Sequence, residues 1–334
     1  MTRVARFVGA VLAAIAVAAL TAWAALAIEY SDLRSPELRQ ALAIAFAAGT
    51  LLAFAVLSRR RRTLVGFLVA FAVVLAWWLR IAPSNDRDWQ VEVSRLPSVD
   101  VAGERVTFHN IRDFDYRSET DFTPRWYDAT FDVGDLRSVD LVMSYWMGDA
   151  IAHAMVSFGF AGDRYVAVSI ETRKERGESY STIAGFFKQY ELIYVVADER
   201  DVIRVRTNYR DPREDVYVYR AQIPLENVRR LFWDYVREIN ELKVHPAFYN
   251  TLTTNCTTNI FFHTRVNPGH PPLSWKILLS GYVPQYAYEH GRIDTTLPFD
   301  ELRRRSRVNE RAQAADQAPD FSRRIREGLP GIAP

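Results

Sequence analysis

The residue best suited to covalent chemistry is Cys256, the only cysteine of the chain. A single cysteine cannot form an intrachain disulfide, so Cys256 is a free thiol. It lies in the run Asn250-Thr-Leu-Thr-Thr-Asn-Cys256-Thr-Thr-Asn-Ile-Phe-Phe-His263, which is polar up to the cysteine and apolar soon after it. This pattern predicts a helix that starts at the cysteine, with Thr254 or Asn255 as its N-cap.

A thiol in the first turn of a helix faces unpaired backbone N–H groups and the positive end of the helix dipole. Both features lower the pKa of a thiol, and the N–H groups can bind an oxyanion. We therefore interpret Cys256 as a nucleophile and expect the flanking Asn255 and Thr257 to contact the substrate. The alternative is an inert buried cysteine that fills a gap in the core.

A nucleophilic cysteine needs an imidazole that takes and returns its proton, and the chain has six histidines. His263 lies two turns further along the predicted helix, about 10 Å from Cys256. The histidines that lie before the main strands, at a helix end or in loops are His109, His245, His270 and His290. His153 remains as the candidate base, in an otherwise apolar strand. The alternative for His153 is a core histidine bonded to a backbone carbonyl.

The next predicted strand, Tyr165-Val-Ala-Val-Ser-Ile-Glu171-Thr-Arg173, places Ser169, Glu171 and Arg173 on one face, because side chains alternate along a strand. If this strand forms a hairpin with the His153 strand around residues 161–163, that face lies beside His153. Glu171 is then the candidate that orients the imidazole, like the third member of a triad. The alternative is a surface ion pair between Glu171 and Arg173. Arg173 and Tyr180 are further candidates for substrate contacts.

Short apolar or alternating runs between turn residues predict strands in the middle of the chain. They are Val91–Leu96, Trp126–Val133, Ala150–Phe160, Arg164–Glu171, Tyr190–Ala197 and Val216–Ile223. After Pro224, apolar residues recur at three- and four-residue spacing, which predicts a helix packed on the sheet. The charged composition of residues 301–334 predicts a solvated helix followed by a loose end. The fold class is α+β with an antiparallel sheet.

Three uncharged apolar runs precede this domain, and they predict membrane helices at about 7–28, 40–58 and 63–80, each long enough to cross a hydrocarbon layer of about 30 Å. Four arginines, Arg59 to Arg62, separate the second run from the third. The positive-inside rule places these arginines and the N-terminus in the cytoplasm. Three crossings then put the domain of residues 83–300 in the periplasm. The alternative for the first run is a cleaved signal peptide.

Other functional classes lack support in the sequence. The four arginines have no neighbouring domain that could form a nucleic-acid site. The cysteine and the histidines include no pair at metal-ligand spacing, and no phosphate-binding or dinucleotide motif occurs. We therefore expect no metal, no cofactor and no nucleic acid. The expected partners are the lipid bilayer and a lipid, lipoprotein or cell-wall substrate, and the oligomeric state stays open.

Several separated blocks of the sequence resemble the Lnb N-terminal periplasmic domain family over roughly residues 113–266. The blocks contain His153, the run Ser169-Ile-Glu171-Thr-Arg173, the strand Tyr190–Tyr194 and the run Asn255-Cys-Thr-Thr-Asn259. A histidine on a strand followed by a cysteine that starts a helix is also similar to the circularly permuted papain-like proteins of the NlpC/P60 type, among them the lecithin:retinol acyltransferase type. Cys256 and His153 match the family's cysteine and histidine. The three preceding helices are a departure from the namesake.

The resemblance implies a papain-like domain in the bacterial envelope, and it implies acyl transfer onto lipoproteins for the namesake members. We expect a thiol-dependent acyltransferase or hydrolase at the bacterial inner membrane that acts on a lipid or lipoprotein. Four aromatic residues favour an apolar groove: Phe158, Phe160, Phe186 and Phe187. The alternatives are a cysteine amidase or peptidase that acts on cell-wall peptide, and a non-catalytic envelope scaffold with a structural Cys256.

Overall fold

The computed structural model describes residues 3–33 and 35–332. The chain divides into two units. The first contains Met1–Ser84 and Tyr180–Glu191, and the second contains Asn85–Ser179 and Leu192–Pro334. The short segment of the first unit is therefore inserted into the sequence of the second.

The first unit is built on three helices, α1 (Arg3–Glu29), α2 (Pro36–Val56) and α3 (Arg60–Arg80). All three are long and apolar enough to cross a membrane, which confirms the predicted helices to within a few residues at each end. Trp23 of α1 packs on Phe71 and Trp78 of α3, with ring centroids 5.6 and 5.3 Å apart. The inserted segment packs on the same helices, since the Trp78 indole N–H donates to the Phe187 carbonyl at 3.4 Å.

The second unit contains a mixed, mostly antiparallel sheet, which confirms the α+β class. The strands of the described residues are β1 (Ser98–Ala102), β2 (Arg105–Arg112), β3 (Asp115–Tyr116), β4 (Phe122–Thr123), β5 (Trp126–Asp132), β6 (Leu136–Tyr145), β7 (Ala152–Phe160), β8 (Arg164–Arg173), β9 (Glu191–Ala197) and β10 (Asp215–Arg220). The order in the main sheet is β1-β2-β9-β8-β7-β6-β10, with β5 also paired to β2, while β3 and β4 form a separate pair. Only the contact of β2 with β9 is parallel among the strand pairs whose register the structure describes.

The helices of the second unit follow the strands in sequence for the most part. They are α4 (Glu199–Val202), α5 (Leu225–Val244), α6 (Cys256–Thr264), α7 (Trp275–Leu278), α8 (Val283–Glu289), α9 (Phe299–Ser306), α10 (Asn309–Ala314) and α11 (Phe321–Arg324). A single π-helical turn, Val205–Tyr209, precedes β10. Helix α5 is the amphipathic helix predicted after Pro224, and the ring of its buried Phe232 packs on Phe158 and Phe160 of β7 at 5.2 and 5.7 Å.

Two predictions about the second unit are wrong. Residues 91–96 form no strand but a 3-10 turn, Val91–Val93, because Val93 turns into the core beside Trp89 and its carbonyl accepts from Arg173. Residues 321–329 form no loose end, because Phe321, Ile325 and Leu329 are at most 3% exposed and belong to the core that contains Val142 and Val218. Their four-residue spacing is that of an apolar helical face, although α11 itself ends at Arg324.

Candidate active site

The site begins with the hairpin of β7 and β8, which confirms the predicted pairing of these strands. Its turn contains Gly162, whose φ of 75° suits glycine. The antiparallel pairs run from Phe160 and Arg164 to Met155 and Ser169, where the pairing stops. His153 and Glu171 lie two residues beyond this last pair, one on each strand. The register therefore places the two side chains side by side at the open end of the hairpin.

The His153 imidazole is held by two groups of β8. Its Nε2 lies 2.7 Å from the Ser169 hydroxyl and 3.2 Å from the Glu171 carboxylate oxygen Oε1. The Ser169 hydroxyl donates to the same carboxylate oxygen at 2.6 Å, so it accepts from Nε2–H. This arrangement fixes the ring orientation and keeps a proton on Nε2. The sequence placed Ser169 on the correct face, but the role of its hydroxyl was not predicted.

Cys256 is the first residue of α6, which confirms the predicted helix start. Asn255 is the N-cap, and its side-chain oxygen accepts from the Thr258 N–H at 2.9 Å. In return, the Thr258 hydroxyl accepts from the Asn255 N–H at 2.9 Å, so the two residues form a capping box. The capping box holds the thiol, which is 9% exposed, at the N-terminus of the helix.

The Cys256 thiol interacts with the His153 imidazole and with the Ala154 N–H, and both interactions favour its thiolate form. Burial raises the pKa of the Cys256 thiol, but these interactions outweigh burial and lower that pKa below its ordinary value. Burial lowers the pKa of His153, but the charges of Glu171 and Cys256 raise it to about 9. The two shifts favour the thiolate–imidazolium form of the pair.

Glu171 is ionised beside this pair. Burial raises its pKa, but His153, Arg206 and Ser169 together hold that pKa well below its usual range. The Arg206 guanidinium is buried and donates to Glu171 Oε1 at 3.1 Å, while its Nε lies 3.7 Å from the Glu214 carboxylate. Glu214 in turn accepts from the Ser144 hydroxyl, and Ser144 is paired with His153 across β6 and β7. Arg206, Glu214 and Ser144 thus form a buried polar cluster that supports the Glu171 carboxylate.

Arg206, Glu214 and Ser144 were missed by the sequence reasoning. Arg206 lies 35 residues from Glu171 along the chain, and it reaches the carboxylate from the π-helical turn. Its neighbours Val205 and Thr207 show no charge pattern that signals this contact. A buried arginine beside two glutamates is visible only once the strands and the turn are placed together.

The residues predicted to contact the substrate have other roles in the structure. The Asn255 side chain caps α6, and the buried Thr257 hydroxyl donates to the Ile277 carbonyl at 2.8 Å. The Arg173 guanidinium is 2% exposed and donates to the carbonyls of Val93 and Ser94, which favours a structural role over a substrate contact. Tyr180 lies in the first unit, where its half-exposed ring stacks on Tyr190 at 6.4 Å. The substrate contacts of all four residues stay predictions.

An apolar pocket of about 160 Å³ lies beside β7 and α6, although neither Cys256 nor His153 is among its lining residues. Its walls include Ala154 and Thr257, the chain neighbours of His153 and Cys256. Further lining residues come from α5, α6 and the loops that follow: Leu231, Ile260, Phe261, Ile277, Val283 and Ile293. The four phenylalanines expected to form an apolar groove do not line this pocket. Phe158 and Phe160 pack in the core on Phe232, and Phe187 packs on Trp23 within the first unit.

His263 has a separate environment in the core. Its Nδ1 lies 2.7 Å from an Asp234 carboxylate oxygen, its Nε2 lies 2.8 Å from the Tyr194 hydroxyl, and its ring stacks on Tyr235 at 3.9 Å. These contacts occupy both nitrogens and explain why His263 is buried without being the base for Cys256. Within residues 3–33 and 35–332, no group of three His, Cys, Asp or Glu side chains has the arrangement of a metal site.

Comparison with known proteins adds one finding to this geometry. Neither the comparison with curated proteins nor that with solved structures found a match. The family model of the Lnb N-terminal periplasmic domain matches residues 122–281, which confirms the resemblance inferred from the sequence. The matched residues lie in the second unit, apart from the inserted segment, and contain His153, Glu171 and Cys256. Together with the three apolar helices, the match supports a membrane protein with a periplasmic domain.

Proposed function

We propose that this protein is a thiol-dependent acyltransferase or hydrolase of the bacterial inner membrane, with Cys256 as nucleophile and His153 as acid and base. The observation that carries the proposal is the thiol at the first residue of α6, in electrostatic interaction with an imidazole that Ser169 and Glu171 orient. A core cysteine needs neither the helix N-terminus nor the oriented imidazole. The same order of groups supports a papain-like, permuted NlpC/P60-type site.

In the first step, the Cys256 thiolate attacks the carbonyl carbon of an ester or amide. A carbon–sulfur bond forms, and the backbone N–H groups at the start of α6 stabilise the oxyanion. As the intermediate collapses, the bond to the alcohol or amine breaks. Because His153 Nε2 is engaged by β8, Nδ1 is the nitrogen that gives its proton to the leaving group. The product is a thioester on Cys256.

In the second step, an amine or a water molecule attacks the thioester carbon. His153 takes a proton from the attacking group, the carbon–sulfur bond breaks and the thiolate returns. Throughout both steps, the Glu171 carboxylate stabilises the imidazolium without taking its proton, as the acid of a triad does. An amine completes acyl transfer, whereas water completes hydrolysis.

The apolar pocket favours a lipid or lipoprotein acyl group over a cell-wall peptide. Its walls are almost entirely apolar and include Thr257, the chain neighbour of Cys256, so an acyl chain buried there would lie near the start of α6. A peptide would need hydrogen-bond partners that such walls do not offer. Three membrane helices in the same chain would hold the enzyme in the lipid bilayer.

The periplasmic placement of the second unit predicts that alkaline phosphatase fused after Pro334 is active. A stable but inactive fusion would contradict this placement.

The test is direct detection of the thioester. Purified full-length protein in detergent is incubated with phosphatidylcholine, phosphatidylethanolamine or a diacylated lipopeptide, and its intact mass is measured. We expect a mass increase of one acyl chain that hydroxylamine removes and that is absent from Cys256→Ser. His245→Ala, which changes an exposed histidine, is the matched control and should keep the adduct. Adduct formation on a cell-wall peptide and not on lipid would favour the amidase, and no adduct on any donor would favour the scaffold.

A further inference from the structure

The segment of residues 260–279, which lines one side of the apolar pocket, also presents apolar side chains to solvent. Phe261 and Ile277 line the pocket, whereas neighbouring side chains are between 37% and 63% exposed. These neighbours, which we call the apolar rim, are Phe262, Val266, Leu273, Trp275, Leu278 and Leu279. Large apolar side chains exposed together in one region mark a binding surface more often than an ordinary solvated face.

The apolar rim comes from one packed part of the second unit. Helices α6 and α7 are tied by the bond from the Thr257 hydroxyl to the Ile277 carbonyl at 2.8 Å. The loop between them is tied to α8, because the Tyr286 hydroxyl donates to the Pro272 carbonyl. The Trp275 ring lies 5.3 Å from the Tyr282 ring, centroid to centroid. The rim therefore lies on a supported surface next to the pocket.

The charge of this region favours an anionic surface as its partner. No Asp or Glu occurs between Glu241 and Glu289. The rim residues themselves therefore include no carboxylate. Arg265 is exposed, with its guanidinium 5.9 Å from the Phe262 ring centroid, while Lys276 pairs with Glu289 at 2.5 Å. An exposed tryptophan beside apolar residues and a cation is the composition of a membrane interface.

We propose that the apolar rim docks onto the lipid bilayer. A bilayer is the partner because the chain carries three apolar helices of spanning length, and because the exposed Trp275 and the exposed cation Arg265 lie in the same region as the rim. The inference deepens the proposed function and rests on it for its purpose. Docking would bring the bilayer surface next to the apolar pocket that Phe261 and Ile277 line.

Labels on the rim test this docking in the full-length protein. In a Cys256→Ser background, Leu273→Cys and Leu278→Cys are each labelled with the fluorophore NBD and reconstituted into nanodiscs of phosphatidylcholine and phosphatidylglycerol. Val101→Cys, at a residue 52% exposed in the β1–β2 hairpin, is the control. We expect lipids with a shallow doxyl group to quench both rim labels about threefold more than the control, because interfacial side chains lie about 5–10 Å below the headgroups.

Equal quenching at all three positions would overturn the docking surface. Blue-shifted rim labels that doxyl lipids do not quench would also overturn it, since another protein copy would then cover the rim. The labelled proteins lack the thiol, so the result does not depend on thioester formation. A protein that docks but forms no thioester would contradict the proposed function alone, and the reverse result would contradict the docking alone.

Discussion

Three side chains of the site have pKa values that are shifted in complementary directions. The pKa of Cys256 is lowered, that of His153 is raised to about 9, and that of Glu171 is held well below its usual range. Each charge is the main reason for the shift of its neighbour against the opposing effect of burial. The three shifts favour a thiolate, an imidazolium and a carboxylate, which is the charge state a thiol nucleophile requires.

Replacing Glu171 with glutamine should lower the pKa of His153. The imidazolium loses its nearest carboxylate, and an opposite charge at this distance shifts a pKa by about 1–3 units. Histidine NMR titration, assigned with His153→Ala, should give a midpoint of about 9 in the wild type and a midpoint lower by about one unit or more in Glu171→Gln. Glu104→Gln, at an exposed position, is the matched control. A wild-type midpoint near the ordinary value of about 6.5 would contradict this account of the site.

The same shift has a consequence for stability. Because the His153 pKa is raised above its unfolded value, the bound proton stabilises the folded state at pH values below about 6.5. This contribution is lost as the pH rises through about 9. It should be smaller in Glu171→Gln at every pH in that range.

Two elements bring these side chains together: the open end of a hairpin and the start of a helix. Because pairing of β7 with β8 stops at Met155 and Ser169, the Ala154 N–H is available to the Cys256 sulfur. The capping box of Asn255 and Thr258 fixes where α6 begins. The site thus depends on the ends of regular elements, where backbone groups are unpaired.

Replacing Asn255 with alanine should destabilise the second unit and slow the thiol. The N-cap loses its acceptor for the Thr258 N–H, which costs about 1 kcal/mol, and the first turn frays. We expect a lower melting temperature and a lower alkylation rate of Cys256. Asn255→Ser, which keeps a capping oxygen, is the control and should restore most of both. Unchanged melting and unchanged alkylation in Asn255→Ala would show that the cap does not position the thiol.

Local patterns predicted those parts of the site that neighbours in sequence determine. The polar-to-apolar change at Cys256 predicted the helix start, and the alternation around Glu171 predicted its position beside His153. Strand β6 was missed because its buried Ser138, Asp140 and Ser144 break the apolar pattern. These polar residues are tolerated in the core only because distant groups pair with them, such as Arg326 with Asp140 at 2.8 Å.

In the whole molecule, the C-terminal residues complete the core of the second unit. Arg326 is buried and pairs with Asp140 of β6 and with Glu199 of α4, at 2.8 and 2.5 Å. Its guanidinium also stacks over Tyr165 at 3.6 Å. The charged composition of this segment predicted that it is solvated, but the Arg326 guanidinium faces the core. Composition alone cannot show which charges of a segment face a buried partner.

Replacing Arg326 with methionine should unfold or strongly destabilise the second unit. Glu199 is fully buried, and removing one partner of a buried ion pair costs about 3–5 kcal/mol. Chemical denaturation of the full-length protein in detergent measures the change. Arg323→Met is the matched control, because Arg323 pairs with Asp320 and Glu327 on the exposed side, and its stability should stay close to wild type. Equal stability of the two variants would show that the C-terminal ion pairs are not part of the fold's support.

The alkylation rate of Cys256 tests the central claim most directly, since it reports how much thiolate His153 maintains. It is measured from pH 6 to 9 for wild type, His153→Ala and the control His245→Ala. At pH 7 we predict that the alkylation rate of His153→Ala is at most about one tenth of the wild-type rate. This rate should recover as the pH approaches the ordinary thiol pKa of about 8.5, while the rate of His245→Ala should match the wild type. Equal rates for wild type and His153→Ala across this range would contradict an activated thiol and leave Cys256 a structural residue.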